Sequence, residues 1–88
     1  MKIKKNYLLR DILGSYIVMG TDRDAYRPNE LMSVNETGKF LWDRLVDGAD
    51  RDELVEALFG EYEVDEATAG KDVDAFLGLL REQRLIEE

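Results

Sequence analysis

Carboxylates are the side chains of this sequence that could most readily do chemistry, since Asp and Glu make up 20 of its 88 residues. Close pairs, such as Asp50 with Asp52 and Asp72 with Asp74, have the residue types of an acid–base pair. Their positions fit helix caps and solvated helix faces better. The sequence has no histidine and no cysteine, so the commonest general base near neutral pH and the imidazole and thiolate metal ligands are missing. We therefore predict no catalytic residue, no metal site and no cofactor.

Charge is unevenly distributed along the chain, whose formal net charge is −8. Up to Asn29 there are six Lys or Arg against three Asp or Glu, and from Glu30 onward there are six against seventeen. A phosphate backbone rewards clustered basic residues, so the acidic part disfavours a nucleic-acid partner. It suits a basic peptide or a basic protein surface, or it serves solubility alone.

Length and hydropathy limit the architecture. A chain of 88 residues supports one small core, and we expect a single domain over residues 1–88. It starts at Met1 without a signal-peptide pattern, and no apolar stretch is long enough to cross a bilayer. These features predict a cytoplasmic protein without a membrane partner.

Hydrophobic periodicity divides the chain into strands followed by helices. Strands are predicted over residues 7–13, 16–19 and 31–34, with a turn at Gly14 and Ser15 between the first two. Three helices follow. This order predicts an α+β domain, and the helix spacing gives it a winged helix-turn-helix arrangement.

Each predicted helix begins with a capping side chain and carries an apolar stripe. The predicted caps are Asn35, Asp50 (with Glu53 three residues later) and Asp65, and the third helix reaches about Gln83. The predicted stripes are Phe40, Leu41, Trp42, Leu45 and Val46, then Leu54, Val55, Leu58, Phe59 and Tyr62, then Ala69, Val73, Phe76, Leu77 and Leu80. Leu85 and Ile86 are expected to pack on this core as a short tail.

Leu79 lies off the stripe of the third helix when residues are spaced at about 100°. It shares a flank of that helix with Asp72, Ala75 and Gln83, next to Phe76. An isolated exposed leucine is common on protein surfaces. The functional alternative is that this flank walls a groove, in which the Asp72 carboxylate favours a basic residue of the ligand.

The third predicted strand, residues 31–34, has a free edge if it lies at the border of the sheet. Its backbone N–H and C=O groups could then pair with an incoming strand beside the flank of the third helix. Side chains alternate, so either Met32 and Val34 face the core while Leu31 and Ser33 face outward, or the reverse. An ordinary solvated edge strand is equally compatible with these residues.

Residues 31–42, LMSVNETGKFLW, resemble the L-x-x-L-N-E-T-G-x-x-[IL]-W segment of PqqD-like proteins, with Val34 in place of the usual leucine. Residues 50–62 resemble the family's x-x-E-L-x-x-x-L-x-x-x-Y helix. Residues 72–77 and 85–86 resemble its D-V-x-x-F-L…G-L-I ending, although Arg84 stands where glycine is common. The resemblance covers nearly the whole chain.

This resemblance implies a RiPP recognition element, a domain of three strands and three helices that binds the leader of a ribosomally made precursor peptide. The leader adds to the third strand beside the third helix, and the domain presents the precursor to a modifying enzyme, often a radical SAM protein. The turn at residues 35–38 is expected to be a structural joint rather than a contact site. The implied site residues are Glu30, Leu31, Met32, Ser33 and Val34 on the edge, with Asp72, Ala75, Phe76, Leu79 and Gln83 on the groove wall.

Three function classes are compatible with the sequence. A peptide-binding chaperone without catalytic activity is favoured, a winged-helix regulator that binds DNA or a protein partner is second, and a small enzyme is third. The oligomeric state stays open between monomer and homodimer, because an unpaired edge strand can pair with a second copy.

Overall fold

A computed structural model describes residues 1–22 and 32–88, so Glu30 and Leu31 of the predicted edge lie outside the described residues. The elements are β1 (Lys2–Ile3), β2 (Tyr7–Ile12), β3 (Ser15–Gly20), β4 (Met32–Val34), α1 (Glu36–Asp47), α2 (Arg51–Glu61), α3 (Glu66–Glu82) and β5 (Ile86–Glu87). A three-stranded sheet followed by three helices confirms the predicted α+β class and is consistent with a winged helix-turn-helix. Within these residues, no helix is long and apolar enough to span a membrane.

The main sheet is antiparallel and has the strand order β2-β3-β4. In the β2–β3 hairpin, Tyr7 pairs with Gly20 and Ile12 pairs with Ser15. β4 adds to the other side of β3, with Ser33 opposite Ile17. This order places β4 at the border of the sheet.

Leu13 and Gly14 form the turn that connects β2 to β3. Both have positive φ, 53° and 86°, which makes a type I′ turn whose twist matches that of the strands. The Gly14 N–H donates a hydrogen bond to Asp11 Oδ1 at 3.1 Å. The turn therefore lies one residue earlier than predicted: Leu13 belongs to it, and Ser15 already belongs to β3.

A second sheet, which the sequence analysis missed, joins the two ends of the chain. β1 pairs antiparallel with β5, with Lys2 opposite Glu87 and Ile3 opposite Ile86. The Lys4 N–H extends the pairing by donating to the Leu85 carbonyl at 3.0 Å. Strands of two residues are too short to show a hydrophobic period, so only the tertiary contact reveals them.

Side-chain caps begin all three helices, as predicted. Asn35 Oδ1 accepts the Gly38 N–H at 2.8 Å, and Asp65 Oδ1 accepts the Thr68 N–H at 2.7 Å. Asp50 forms a reciprocal capping box with Glu53 at the start of α2. The hydrogen bond from the Thr68 backbone lowers the pKa of Asp65.

The core lies between the helices and the inner face of the main sheet. Its buried apolar side chains are Ile3, Val18, Leu41, Trp42, Leu45, Leu54, Leu58, Ala69, Val73, Phe76, Leu77, Leu80, Leu85 and Ile86. The stripe of α3 and the packed tail are thus confirmed. Val46 and Phe59 were predicted to face the core and are exposed. Each lies about 120° around its helix from the mean direction of two buried leucines, and is therefore off the buried face. These leucines are Leu41 and Leu45 in α1 and Leu54 and Leu58 in α2.

The end of α3 is a Schellman motif, in which Arg84 adopts the left-handed conformation with φ 59°. The Arg84 N–H donates to the Arg81 carbonyl at 3.1 Å, and the Leu85 N–H donates to the Leu80 carbonyl at 2.9 Å. Glycine is the usual residue at this position because it has no Cβ. The turn therefore forms here in spite of the arginine, and it directs Leu85 and Ile86 into the core.

Candidate functional site

The border strand β4 presents one face to the core and one to solvent. Met32 and Val34 are partly buried and pack against the core, whereas Ser33 is exposed. Of the two alternations that the sequence allowed, the structure has Met32 and Val34 inward. β4 pairs with β3 on one side, and within the described residues no strand pairs with its other side.

The hairpin register determines which backbone groups of β3 point toward β4. A type I′ turn makes its flanking residues, Ile12 and Ser15, a hydrogen-bonded pair. Backbone groups alternate in direction along an antiparallel strand, so Ser15 and Ile17 bond toward β2. Tyr16 and Val18 consequently direct their N–H and C=O groups toward β4.

This alternation continues into β4 and defines its free edge. Val34 and Met32 lie opposite Tyr16 and Val18, so they bond to β3. Ser33 lies opposite Ile17, whose backbone groups point the other way. The N–H and C=O of Ser33 therefore point out of the sheet, where an added strand could pair with them.

A groove of about 380 Å³ runs between the end of β4 and α3. It brings together six residues of the predicted site: Ser33, Val34, Asp72, Ala75, Phe76 and Leu79. Four lining residues were not predicted as contacts: Asn35, Thr37, Gly38 and Leu41. They belong to the joint and to α1, so only the packing of α1 against α3 shows that they face the groove.

Of the predicted site residues that the structure describes, two do not line this groove. Met32 packs inward on the core instead. Gln83 is the C-cap of α3, where its N–H donates to the Leu79 carbonyl at 3.0 Å. Gln83 keeps a helical conformation and lies one turn beyond Leu79, which is the last residue of α3 in the groove lining.

Gly38 allows the floor of the groove to pack closely. A Cβ at Gly38 would lie 3.0 Å from Val34 Cβ, 3.2 Å from the Phe76 ring and 3.3 Å from Asn35 Oδ1. Such distances are shorter than ordinary van der Waals contacts, so a side chain here would push strand and helices apart. Together with the Asn35 cap, this supports the predicted role of residues 35–38 as a joint between β4 and α1.

The apolar wall of the groove combines buried and exposed side chains. Phe76 is 9% exposed and belongs to the core, whereas Leu79 on the same helix is 37% exposed. The exposure of Leu79 agrees with its position off the stripe. This part of α3 therefore presents apolar surface without depending on Leu79 for its core.

Asp72 is the one charged residue among those that line the groove, as far as the described chain shows. Its neighbour Asp74 binds Arg51 of α2, with Oδ2 3.0 Å from Nη2, and this hydrogen bond lowers the pKa of Asp74. In residues 1–22 and 32–88, no hydrogen bond or ion pair engages the Asp72 carboxylate. Asp72 is therefore available to a cationic group in the groove.

The residues that line the groove are suited to binding a ligand. Across the described residues, no three acidic side chains converge into a possible metal site. The groove contributes backbone groups of an open strand, apolar side chains and one carboxylate. These are the features that bind an extended peptide by strand addition.

The fold and groove define a class of small α+β domains with an open strand edge beside a helix. Residues 15–86 match the sequence model of the family described as "Coenzyme PQQ synthesis protein D (PqqD)". The chain belongs to this family, which confirms the resemblance found in the sequence. A comparison with curated protein sequences finds no match.

Two solved structures have a similar fold. One is "TbiB1 in Complex with the TbiA(beta) Leader Peptide", with a TM-score of 0.78 and 25% sequence identity over 99% of this chain and 95% of that chain. The other is "Lasso peptide synthetase B1 complexed with the leader peptide", with a TM-score of 0.76 and 21% identity over 99% of this chain and 96% of that chain. At 21% identity, the similarity to the second structure is evidence for a shared fold only.

Proposed function

We propose that this protein is a peptide chaperone that binds the leader of a ribosomally made precursor peptide as an added strand on β4. It presents the precursor to a modifying enzyme, such as a radical SAM protein, in the cytoplasm, and it has no catalytic activity of its own. The observation that carries the proposal is the open edge of β4 beside the groove of α3. The solved TbiB1 complex with a leader peptide, similar over nearly the full length of both chains, supports it.

In this proposal the added strand pairs with the backbone of β4 and lies along α3. Ser33 supplies an N–H donor and a C=O acceptor that point out of the sheet. The wall consists of Asp72, Ala75, Phe76 and Leu79. The site that the family resemblance implies also includes Glu30, Leu31, Met32, Val34 and Gln83.

A regulator that binds DNA through α3 is less well supported. Recognition helices present Lys, Arg, Asn or Gln to the groove of the duplex. The open flank of α3 presents Asp72, Ala75 and Leu79 instead. A carboxylate repels a phosphate backbone, and apolar side chains offer it no hydrogen-bond donor or positive charge.

The direct test is titration of the ¹⁵N-labelled protein with the synthetic leader of a precursor gene encoded beside its own gene. We expect amide shifts concentrated at Met32, Ser33 and Val34 and at Asp72, Phe76 and Leu79. The remote β1–β5 sheet provides an internal control. Unchanged amides on β4 and α3 at saturating leader would contradict the proposed binding site.

A further inference from the structure

The register of β4 determines where the side chains of an added strand point. A leader residue paired with Ser33 places its side chain on the same face of the sheet as Ser33, which is the exposed face. The leader residues before and after it point to the opposite face, together with Met32 and Val34. Alternate leader residues are thus sorted onto two faces.

The face shared by Met32 and Val34 is the face of the groove. Val34 Cβ and the Phe76 ring both lie about 3 Å from the position of a Cβ on Gly38, so Val34 points toward α3. Leader side chains on the same face consequently meet the wall formed by α3. Leader side chains on the other face lie beside the side chains of Ser33 and Ile17, on the face of the sheet opposite Val34.

The wall of α3 has two different chemical parts. Ala75, Phe76 and Leu79 form an apolar part, with Leu79 37% exposed. Asp72 forms the other part, and its carboxylate is not engaged by any ion pair or hydrogen bond within the described residues. An apolar side chain removes water from the first part, and a cationic side chain complements the second.

From this arrangement we infer the class of leader that this groove takes, an inference that rests on the proposed function. The leader carries a Lys or Arg directed at Asp72 and an apolar residue directed at Phe76 and Leu79. Because only alternate residues face the groove, the basic and apolar residues are separated by an even number of positions, two or four. At a separation of two, the single residue between them lies opposite Ser33, and α3 does not select its side chain.

The test is an mRNA-display selection of random twelve-residue peptides on the immobilised protein. We expect enriched peptides to carry Lys or Arg two or four positions from Leu, Ile, Val or Phe. Their complexes should shift the Ser33 amide, which shows binding at β4. Enrichment with an odd spacing, or without a basic residue, would overturn the inference while leaving strand addition intact.

A charge reversal with a matched control separates Asp72 from general electrostatics. Asp72→Lys should lower the affinity of the selected basic peptides about tenfold, and a new selection on it should favour Asp or Glu at the same position. Glu82→Lys makes the same charge change on α3 outside the groove, and its affinity should change less than twofold. Equal losses in the two variants would refute a specific role of Asp72.

Failure of the proposed function has a different signature. In that case no peptide from any selection would move the Ser33 amide. That result would remove the inference together with the proposal on which it rests. Circular dichroism of both charge variants verifies that the fold is retained.

Discussion

Within the described residues the main sheet has two borders, β2 and β4, and they differ in charge and in what lies beside them. β2 is the longer strand, with six residues against three in β4. Its second half exposes Arg10 and Asp11, and charges along a border strand are a common protection against unwanted pairing. β4 has no charged residue and stands beside the groove of α3. Two unpaired edges of one sheet can therefore differ in character: uncharged residues and an adjoining helix wall distinguish β4.

Proline substitutions at the two borders give the largest expected difference. Ser33→Pro removes the N–H that points out of β4, so we expect leader affinity to fall about 5- to 150-fold, because about 1–3 kcal/mol of pairing is lost. Ser33→Ala keeps that N–H and should bind normally. Asp11→Pro removes an outward N–H of β2 and should leave binding unchanged. Isothermal titration with the leader checks all three, and equal effects of the two prolines would contradict the choice of β4.

A substitution at Leu79 tests whether the wall of α3 contributes to binding, because this residue lies in the groove rather than in the core. Leu79→Glu should weaken leader binding about tenfold, since an apolar contact is replaced by a carboxylate that must lose water. Its free energy of unfolding should change by no more than about 0.5 kcal/mol, because the residue is exposed. Leu77→Ala, at a buried position of the same helix, should cost about 2–5 kcal/mol. Urea unfolding measures both, and a large loss of stability in Leu79→Glu would make it a core residue.

The β2–β3 turn carries strain that a peptide-binding role of β4 does not require. Leu13 is fully exposed and has a positive φ, a conformation that costs a leucine about 1–2 kcal/mol. Leu13→Asn should stabilise the protein by about 1 kcal/mol, because Asn-Gly is the preferred pair in type I′ turns. Thermal unfolding should show a rise of about 4–8 °C, with leader affinity unchanged. A lower melting temperature would mean that the Leu13 side chain contributes contacts to the fold.

Acid should affect stability through Asp74, on the side of α3 away from the groove. The hydrogen bond from Arg51 lowers the pKa of Asp74 below its ordinary value of 3.8. A carboxylate whose pKa is lowered on folding stabilises the protein above the unfolded value and loses this contribution as pH falls below it. The difference in melting temperature between the protein and Asp74→Asn should therefore be present at pH 6 and shrink below pH 3.8. A difference independent of pH would assign the effect to something other than ionisation.

Local signals account for the parts of the fold that were predicted correctly. Asn35, Asp50 and Asp65 begin helices because their side chains satisfy backbone N–H groups within three residues, which depends on local sequence alone. The buried stripe of α3 follows from its 3.6-residue period in the same way. Pairing between distant segments was not predictable, and the β1–β5 sheet was missed for that reason.

The candidate site, too, was predictable from the sequence only where its residues are close together in the chain. Asp72, Ala75, Phe76 and Leu79 could be grouped from sequence because they share a helix flank. Asn35, Thr37, Gly38 and Leu41 could not be added to them, since their place in the groove depends on how α1 meets α3. Gln83 was included on helical spacing and falls outside the groove lining, because the groove extends along α3 only as far as Leu79.

The sequence by itself determined the family, the helix starts, the core of α3 and the absence of histidine and cysteine chemistry, because these depend on residue types and short-range spacing. The tertiary structure decided that Met32 and Val34 face inward, that Ser33 directs its backbone groups out of the sheet, and that Asp72 and Leu79 share one groove with β4. These features follow from strand register and helix packing. Both join residues that are far apart in the chain, so no local pattern specifies them.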